Sequence, residues 1–86
     1  MKKSSYLRLR ALVLRRLVYE NCYGQKQILL ENVAKFLKEE KHQAEQVLKK
    51  LIAQGLVLSK KKHYGTHVWL NSERLEEIRQ MVSEEG

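Results

Sequence analysis

The chain has 86 residues, of which 43% are hydrophobic and 31% charged, and its formal net charge is +7 at pH 7. This length predicts one domain, and this composition excludes both a disordered polypeptide and a membrane-spanning one. The charge is uneven: residues 1–70 carry 15 Lys and Arg against 5 Glu, whereas residues 71–86 carry 2 against 5. We therefore expect a polyanionic partner that meets one side of the protein only.

The start of the chain predicts no targeting segment. Residues 1–5 form a basic lead, and the longest apolar-rich run, residues 7–19, is interrupted by four arginines. Such a run can neither span a bilayer nor form the core of a signal peptide. Cys22 is the only cysteine, so the chain cannot form an internal disulfide, and a lone thiol fits a reducing compartment. We expect a cytoplasmic protein in which Cys22 is a small residue at a helix end, with a redox switch or a dimer disulfide as alternatives.

Residues 6–23 are predicted to form the first helix, with Gly24 available as a left-handed cap. Two neighbouring rows of apolar residues follow its length, at Leu7, Ala11, Leu14 and Val18 and at Leu9, Leu12, Val13 and Leu17. Together they cover an arc wider than one face of a monomeric domain requires. We therefore expect helix 1 to pair two subunits as well as to cover the core. The predicted dimer interface consists of Leu7, Leu9, Leu14, Val18 and Trp69.

A helix-turn-helix is predicted over residues 30–55. The connector at residues 25–29 can supply one short strand, and the second helix runs from Leu30 to about Glu39. Residues 39–42 form a polar turn, and the third helix extends from about Gln43 to Gln54, with Gly55 ending it. Helix 3 buries Ala44, Val47, Leu48, Leu51 and Ile52, which leaves its opposite face polar.

Residues 56–70 predict a β-hairpin with a basic tip, followed by a last helix at residues 72–83. A turn at Tyr64-Gly65 would place Lys61 opposite Val68, although a longer loop over residues 62–66 fits equally well. Leu58, Val68 and Leu70 are expected to point inward, and Trp69 outward or against a neighbour. Asn71 or Ser72 is expected to cap the last helix.

Three stretches within residues 28–71 resemble the winged-helix family. The helix before the turn in that family is matched by LENVAKFL at 30–37. The run from the recognition helix into the wing is matched by VLKKLIAQGLV at 47–57, and the strand that closes the wing is matched by VWLN at 68–71. The chain is similar to small regulators of the multiple-antibiotic-resistance and arsenical-resistance types, and to short winged-helix proteins of archaea and their viruses and plasmids. The resemblance implies an α+β fold, mainly α with a small β-hairpin, in the order helix, short strand, two helices, two strands, helix. Glu39 and Glu40 depart from the family, which more often has small or polar residues in the turn.

The exposed face of helix 3 and the hairpin tip carry groups that suit nucleic acid. Gln amides match the adenine edge, and Lys matches guanine or phosphate. Three adjacent lysines repel one another, and a polyanion relieves that repulsion. A solvated helix face and a solvated charge run are the alternatives. The predicted DNA contacts are His42, Gln43, Gln46, Lys49, Lys50, Lys60, Lys61, Lys62, His63 and Tyr64. For Arg8, Arg10, Arg15 and Arg16, phosphate contacts, ion pairs with Glu and solvation all remain open.

The sequence contains no motif for catalysis, a metal or a cofactor. It lacks Asp and a Gly-rich phosphate loop. His63 and His67 have a spacing sometimes seen in metal sites, with Cys22 as a candidate third ligand, but they straddle the predicted turn and no carboxylate lies near them in sequence. We predict a non-enzymatic, homodimeric transcriptional regulator that binds double-stranded DNA, and the sequence shows no evident small-molecule ligand. Helix 3 would enter the major groove and the basic wing would contact flanking backbone. The alternatives are an interaction module of a larger replication or transcription assembly, and an architectural protein that binds DNA without sequence preference.

Overall fold

The computed structural model describes residues 2–85, with the side chains of residues 2–83. Over these residues the protein is a mixed α+β domain of four helices and a three-stranded antiparallel sheet in the order β1-β3-β2. None of the helices in these residues is long and apolar enough to cross a bilayer. The elements are α1 (Lys3–Tyr19), β1 (Ile28–Leu29), α2 (Leu30–Lys35), α3 (Lys41–Ala53), β2 (Val57–Lys62), β3 (Gly65–Leu70) and α4 (Leu75–Glu85), with 3₁₀ turns at Lys38–Glu40 and Ser72–Arg74.

Helix α1 ends earlier than predicted, because Asn21 rather than Gly24 supplies the left-handed cap. Asn21 has φ 56°, and its N–H donates to the carbonyl of Val18 at 3.0 Å. The next N–H, of Cys22, donates to the carbonyl of Leu17 at 3.1 Å, which completes a Schellman motif. Asn tolerates this backbone region better than most residues, so a cap could form before the glycine.

The junction between α2 and α3 also differs from the prediction. Helix α2 ends at Lys35, and the chain reverses through Lys38, which has φ 53°. Glu39 and Glu40 lie in the 3₁₀ turn, and α3 already begins at Lys41. Gly55 ends α3 as predicted, with φ 79° and a bond from the N–H of Leu56 to the carbonyl of Leu51 at 3.1 Å.

Strands β2 and β3 pair in a register different from the predicted one. The two-residue turn is His63-Tyr64, so that Lys61 lies opposite Thr66 and not opposite Val68. Gly65 follows this turn with φ 142°, a conformation that strains any residue with a side chain. Directly opposed residues share a face of the sheet, so Val57 and its partner Leu70 point into the core and Leu58 does not. Leu58 is 38% exposed, so its predicted inward position is wrong. The residue of β2 that points into the core is Val57, one residue before the predicted one.

The apolar arc of α1 is used within the single chain. Helix α4 and helix α3 both pack against α1, and the inner sheet face closes the core. Leu9 and Leu14 are 1% and 0% exposed, so their assignment to a dimer interface is corrected. The arc is wide because it covers two helices of the same chain. The other core members include Val13, Leu17, Val33, Val47, Leu48, Leu51, Leu56, Val68 and Ile78.

Candidate nucleic-acid interface

The polar face of α3 is exposed over its whole length. His42, Gln43, Gln46, Lys49 and Lys50 are all solvent-exposed, because the helical period places them opposite the buried stripe. The side chains of His42 and Gln46 approach within 3.3 Å (Nε2 to Nε2), so each restricts the orientation of the other. The face therefore offers a row of amide, imidazole and ammonium groups along one side of the helix.

The β2–β3 hairpin carries the remaining predicted contacts, next to α3, which packs against β2. Lys60, Lys61, Lys62, His63 and Tyr64 are all exposed. Strand geometry sends their side chains in two directions: Lys60 and Lys62 lie on the sheet face that carries Leu58, and Lys61 lies on the face that carries Val57. The three lysines therefore do not form one surface, which the sequence run alone did not reveal.

Tyr6 links α1 to this surface, and sequence analysis missed it. The ammonium of Lys50 lies 5.1 Å from the centre of the Tyr6 ring, and the guanidinium carbon of Arg10 lies 5.9 Å from it. Both distances fit cation–π attraction. The i, i+4 spacing of Tyr6 and Arg10 could have indicated their contact. The contact with Lys50 depends on how α1 packs against α3, for which the sequence holds no local signal.

The arginines of α1 take up different partners. Arg8 forms an ion pair with Glu40, the residue before the first turn of α3. Arg16 pairs with Glu20 at 3.3 Å (Nε to Oε1), and its guanidinium carbon lies 5.4 Å from the centre of the Phe36 ring. Arg8 neutralises the carboxylate of Glu40, which lies beside the candidate interface. Exposed pairs of this kind add little to stability, so their effect is mainly on local charge.

The other chemically active side chains do not form a site. Cys22 is fully buried, its Sγ 3.9 Å from the carbonyl oxygen of Glu20. Burial raises the pKa of the Cys22 thiol, while Lys26 opposes the rise and Glu20 adds to it. A buried neutral thiol is unreactive, which fits the structural interpretation of this residue. Within the part of the chain that the structure describes, no three His, Cys or Glu side chains are grouped to hold a metal ion.

The exposed apolar side chains are not those predicted to form the dimer interface. Leu7, Val18 and Trp69 are half-buried, and Trp69 lies against the backbone of Gly24. Tyr19 and Phe36 are instead 81% and 38% exposed. They border an open cavity of about 210 Å³ on the outer side of α1, lined by Leu12, Arg15, Arg16, Tyr19 and Phe36. This cavity, which we call the α1 groove, is an apolar surface open to a partner.

Comparisons of the chain with models of known protein families, with curated proteins and with solved structures find no match. The resemblance to winged-helix proteins therefore stays a prediction from the sequence.

Proposed function

We propose that the protein is a winged-helix transcriptional regulator that binds double-stranded DNA as a homodimer. The observation that carries this proposal is the composition of the exposed surface formed by α3 and the adjacent hairpin. Lys49 and Lys50 on α3 and residues 60–62 on the hairpin are all exposed, with the hairpin lysines divided between the two faces of the sheet, and none of the residues predicted to contact DNA is a carboxylate. Such a surface gains affinity for a polyanion through the release of counterions from phosphates.

In this proposal, α3 lies in the major groove. Gln43 and Gln46 each present an amide that can both donate to and accept from the edge of an adenine. These contacts discriminate between bases. The contact between Gln46 and His42 reduces the freedom that Gln46 loses on binding. Lys49 and Lys50 contact guanine or phosphate, and the hairpin acts as the wing on flanking backbone. The proposal carries with it a cytoplasmic location.

A salt titration tests duplex binding. Replacing Lys60, Lys61 and Lys62 by Ala should weaken binding and flatten the plot of log affinity against log salt, by about 0.9 for each phosphate that is no longer neutralised. The control replaces Lys26, Lys35 and Arg79, exposed cations outside the proposed surface, by Ala, with the same change in net charge. Fluorescence anisotropy with labelled genomic duplex fragments gives both slopes. A wild-type protein that fails to bind at low salt, or a control whose slope falls as much, refutes the proposal.

The contribution of α3 to sequence discrimination is tested separately. Gln46→Ala should reduce the difference in binding free energy between specific and random duplex by about 1–3 kcal/mol. The dependence of affinity on salt should stay unchanged. Ala53, on the same exposed face, provides the control variant Ala53→Ser, which should leave the difference unaltered. Footprinting of genomic fragments identifies the specific duplex, and competition with random duplex measures the difference. An unchanged difference in Gln46→Ala would assign discrimination to other residues.

The α1 groove favours a second candidate function, an interaction module of a larger replication or transcription assembly. An open apolar cavity with two exposed aromatic residues on its rim is a feature of protein–protein contact surfaces. A protein that stays monomeric and has no affinity for duplex DNA would support this function over the first.

A further inference from the structure

The sheet face that points away from the core carries an aromatic and basic surface. In the paired register, Leu58 lies opposite Trp69, and His67 lies between Lys60 and Leu29. Opposed residues share a face, so these five side chains lie together, with Lys62 and Tyr64 at the hairpin end. We call them the outer sheet face. Lys60 and Lys62 are exposed and Leu58 is 38% exposed, whereas His67 and Trp69 are half-buried.

The Tyr64 ring on this face is open to a ligand, and the Trp69 ring is partly open. Tyr64 is 68% exposed, and its ring meets the His67 ring at 66° with centroids 5.4 Å apart. Most of the Tyr64 ring therefore faces solvent while its orientation is restrained. The indole of Trp69 is covered only in part: a Cβ added to Gly24 would lie 3.7 Å from its Cδ1 and 3.8 Å from its Nε1. Gly24 lets the loop lie close beside the ring, which keeps only part of its surface exposed.

Structural roles explain some of these residues but not their combination. β2 is an edge strand of the sheet, and lysines on edge strands discourage pairing with other chains. Leu58 and Trp69 form a cross-strand pair that stabilises the hairpin. Neither role requires a large exposed ring at Tyr64, since turns are usually built from small polar residues. A ligand that has both negative charge and flat apolar rings matches the whole set.

We propose that the outer sheet face binds single-stranded DNA. Bases stack on Tyr64 and against Trp69, and Lys60 and Lys62 hold the backbone phosphates. Unpaired strands expose base faces that a duplex conceals, so this site and the duplex surface on α3 take different forms of nucleic acid. The site itself stands independently of duplex binding. The choice of DNA over RNA rests on the proposed function, because nothing on this face reads a 2′-hydroxyl.

Trp69 provides the measurement, because it is the only tryptophan in the chain. Titrating the full-length protein with oligothymidylate of about 16 nucleotides should quench Trp69 fluorescence to saturation. Tyr64→Ala should weaken this binding by roughly fivefold to a hundredfold, the range for loss of one base–aromatic stack, while Tyr64→Phe keeps it. Tyr64 is exposed, and thermal unfolding of each variant confirms that the fold is retained.

Adjacent lysines provide a matched control. Lys60→Ala should lower the salt slope of oligothymidylate binding by about 0.7, the value for one phosphate contact on a single strand. Lys61→Ala makes the same charge change one residue away, but Lys61 lies on the opposite sheet face and its loss should leave the slope unchanged. Equal effects of the two variants would show attraction by net charge alone and would overturn the proposal.

Three further results would overturn it. These are an absence of quenching at low salt, binding to a 16-base-pair duplex that quenches Trp69 as fully as oligothymidylate does, and self-association that requires Tyr64 and occurs without any oligonucleotide. The last would assign the face to a second copy of the chain. Duplex binding is measured on the same variants. A protein that binds duplex but not oligothymidylate refutes this inference alone, and the reverse result refutes the proposed function alone.

Discussion

Lys49 and Lys50 are adjacent exposed lysines on α3 that differ in how freely they move. The ammonium of Lys50 rests over the Tyr6 ring at 5.1 Å, and the same ring receives Arg10. A free lysine side chain loses about 2 kcal/mol of rotamer entropy when it is fixed. Lys50 is partly restrained before a ligand arrives, so we infer that Tyr6 is a positioning residue for the duplex surface.

Replacing Tyr6 by Leu should therefore weaken duplex binding through Lys50. An exposed cation–π contact contributes about 0.5–1 kcal/mol, which corresponds to a two- to fivefold loss of affinity. Tyr6→Phe keeps the ring and should bind as the wild type does. The loss should disappear in a Lys50→Ala background and persist in a Lys49→Ala background. In the free protein, NMR should show that the upfield ring-current shift of the Lys50 ε-methylene is lost in Tyr6→Leu only. Equal losses in both lysine backgrounds would contradict the positioning role.

At the scale of elements, Asn71 connects the end of α3 to the start of the C-terminal helical segment. Its Nδ2 donates to the carbonyl of Gly55 at 2.8 Å, and its Oδ1 accepts from the N–H of Glu73 at 3.1 Å. Arg74 adds a second connection, with its guanidinium donating to the carbonyl of Gln54. The sequence left Asn71 and Ser72 as alternative caps, and the cap is Asn71.

Asn71→Ala should lower the free energy of unfolding by about 1–2 kcal/mol, because it removes a cap and leaves a partly buried carbonyl without its donor. Asn71→Asp keeps the acceptor for Glu73 and loses only the donor, so its loss should be intermediate. Ser72→Ala is the control and should change stability by less than about 0.5 kcal/mol, the usual range for surface substitutions. Urea unfolding followed by circular dichroism measures all three. A loss at Ser72 as large as that at Asn71 would contradict this account of the cap.

Local sequence patterns predict some helix boundaries of this chain and not others. Gly55 ended α3 where predicted, because a glycine after an apolar stripe is itself a stop signal. Helix α2 ended at Lys35 through a left-handed Lys38, and neither Gly nor Pro marks that position. The hairpin register differed for a related reason. Gly65 suits either turn, and the two registers differ by two residues, so both turn the same side chains of β2 toward the core and the strand alternation does not select between them.

At the scale of the whole molecule, the α1 groove is the surface on which we expect the two subunits of the proposed homodimer to meet. The apolar arc first expected to serve this purpose is covered by α3 and α4 of the same chain. The α1 groove contains both a cavity and the exposed ring of Tyr19 beside it. A two-fold contact uses the same patch on both subunits, so a patch with a projection and a hollow can match itself.

The double variant Tyr19→Ser, Phe36→Ser should therefore be monomeric at concentrations where the wild type is a dimer. Both residues are exposed, so the melting temperature should change little. Tyr64→Ser, at the hairpin, is the matched control and should leave the mass unchanged. Sedimentation velocity over a range of concentrations gives the result. A wild type that is monomeric throughout, or a double variant that remains dimeric, would rule out this interface.

The sequence by itself determined the α+β class, the order of helices and strands, and the division of α3 into a buried stripe and an exposed polar face. These features depend on the 3.6-residue and two-residue periods and on stop signals, all of which are local. Only the tertiary structure decided that α4 covers the arc of α1, that Lys60 and Lys61 lie on opposite sheet faces, and that Lys50 rests on Tyr6. Those arrangements depend on which distant surfaces bury one another. Many partners satisfy the same apolar pattern, and the packing of the whole chain selects one of them.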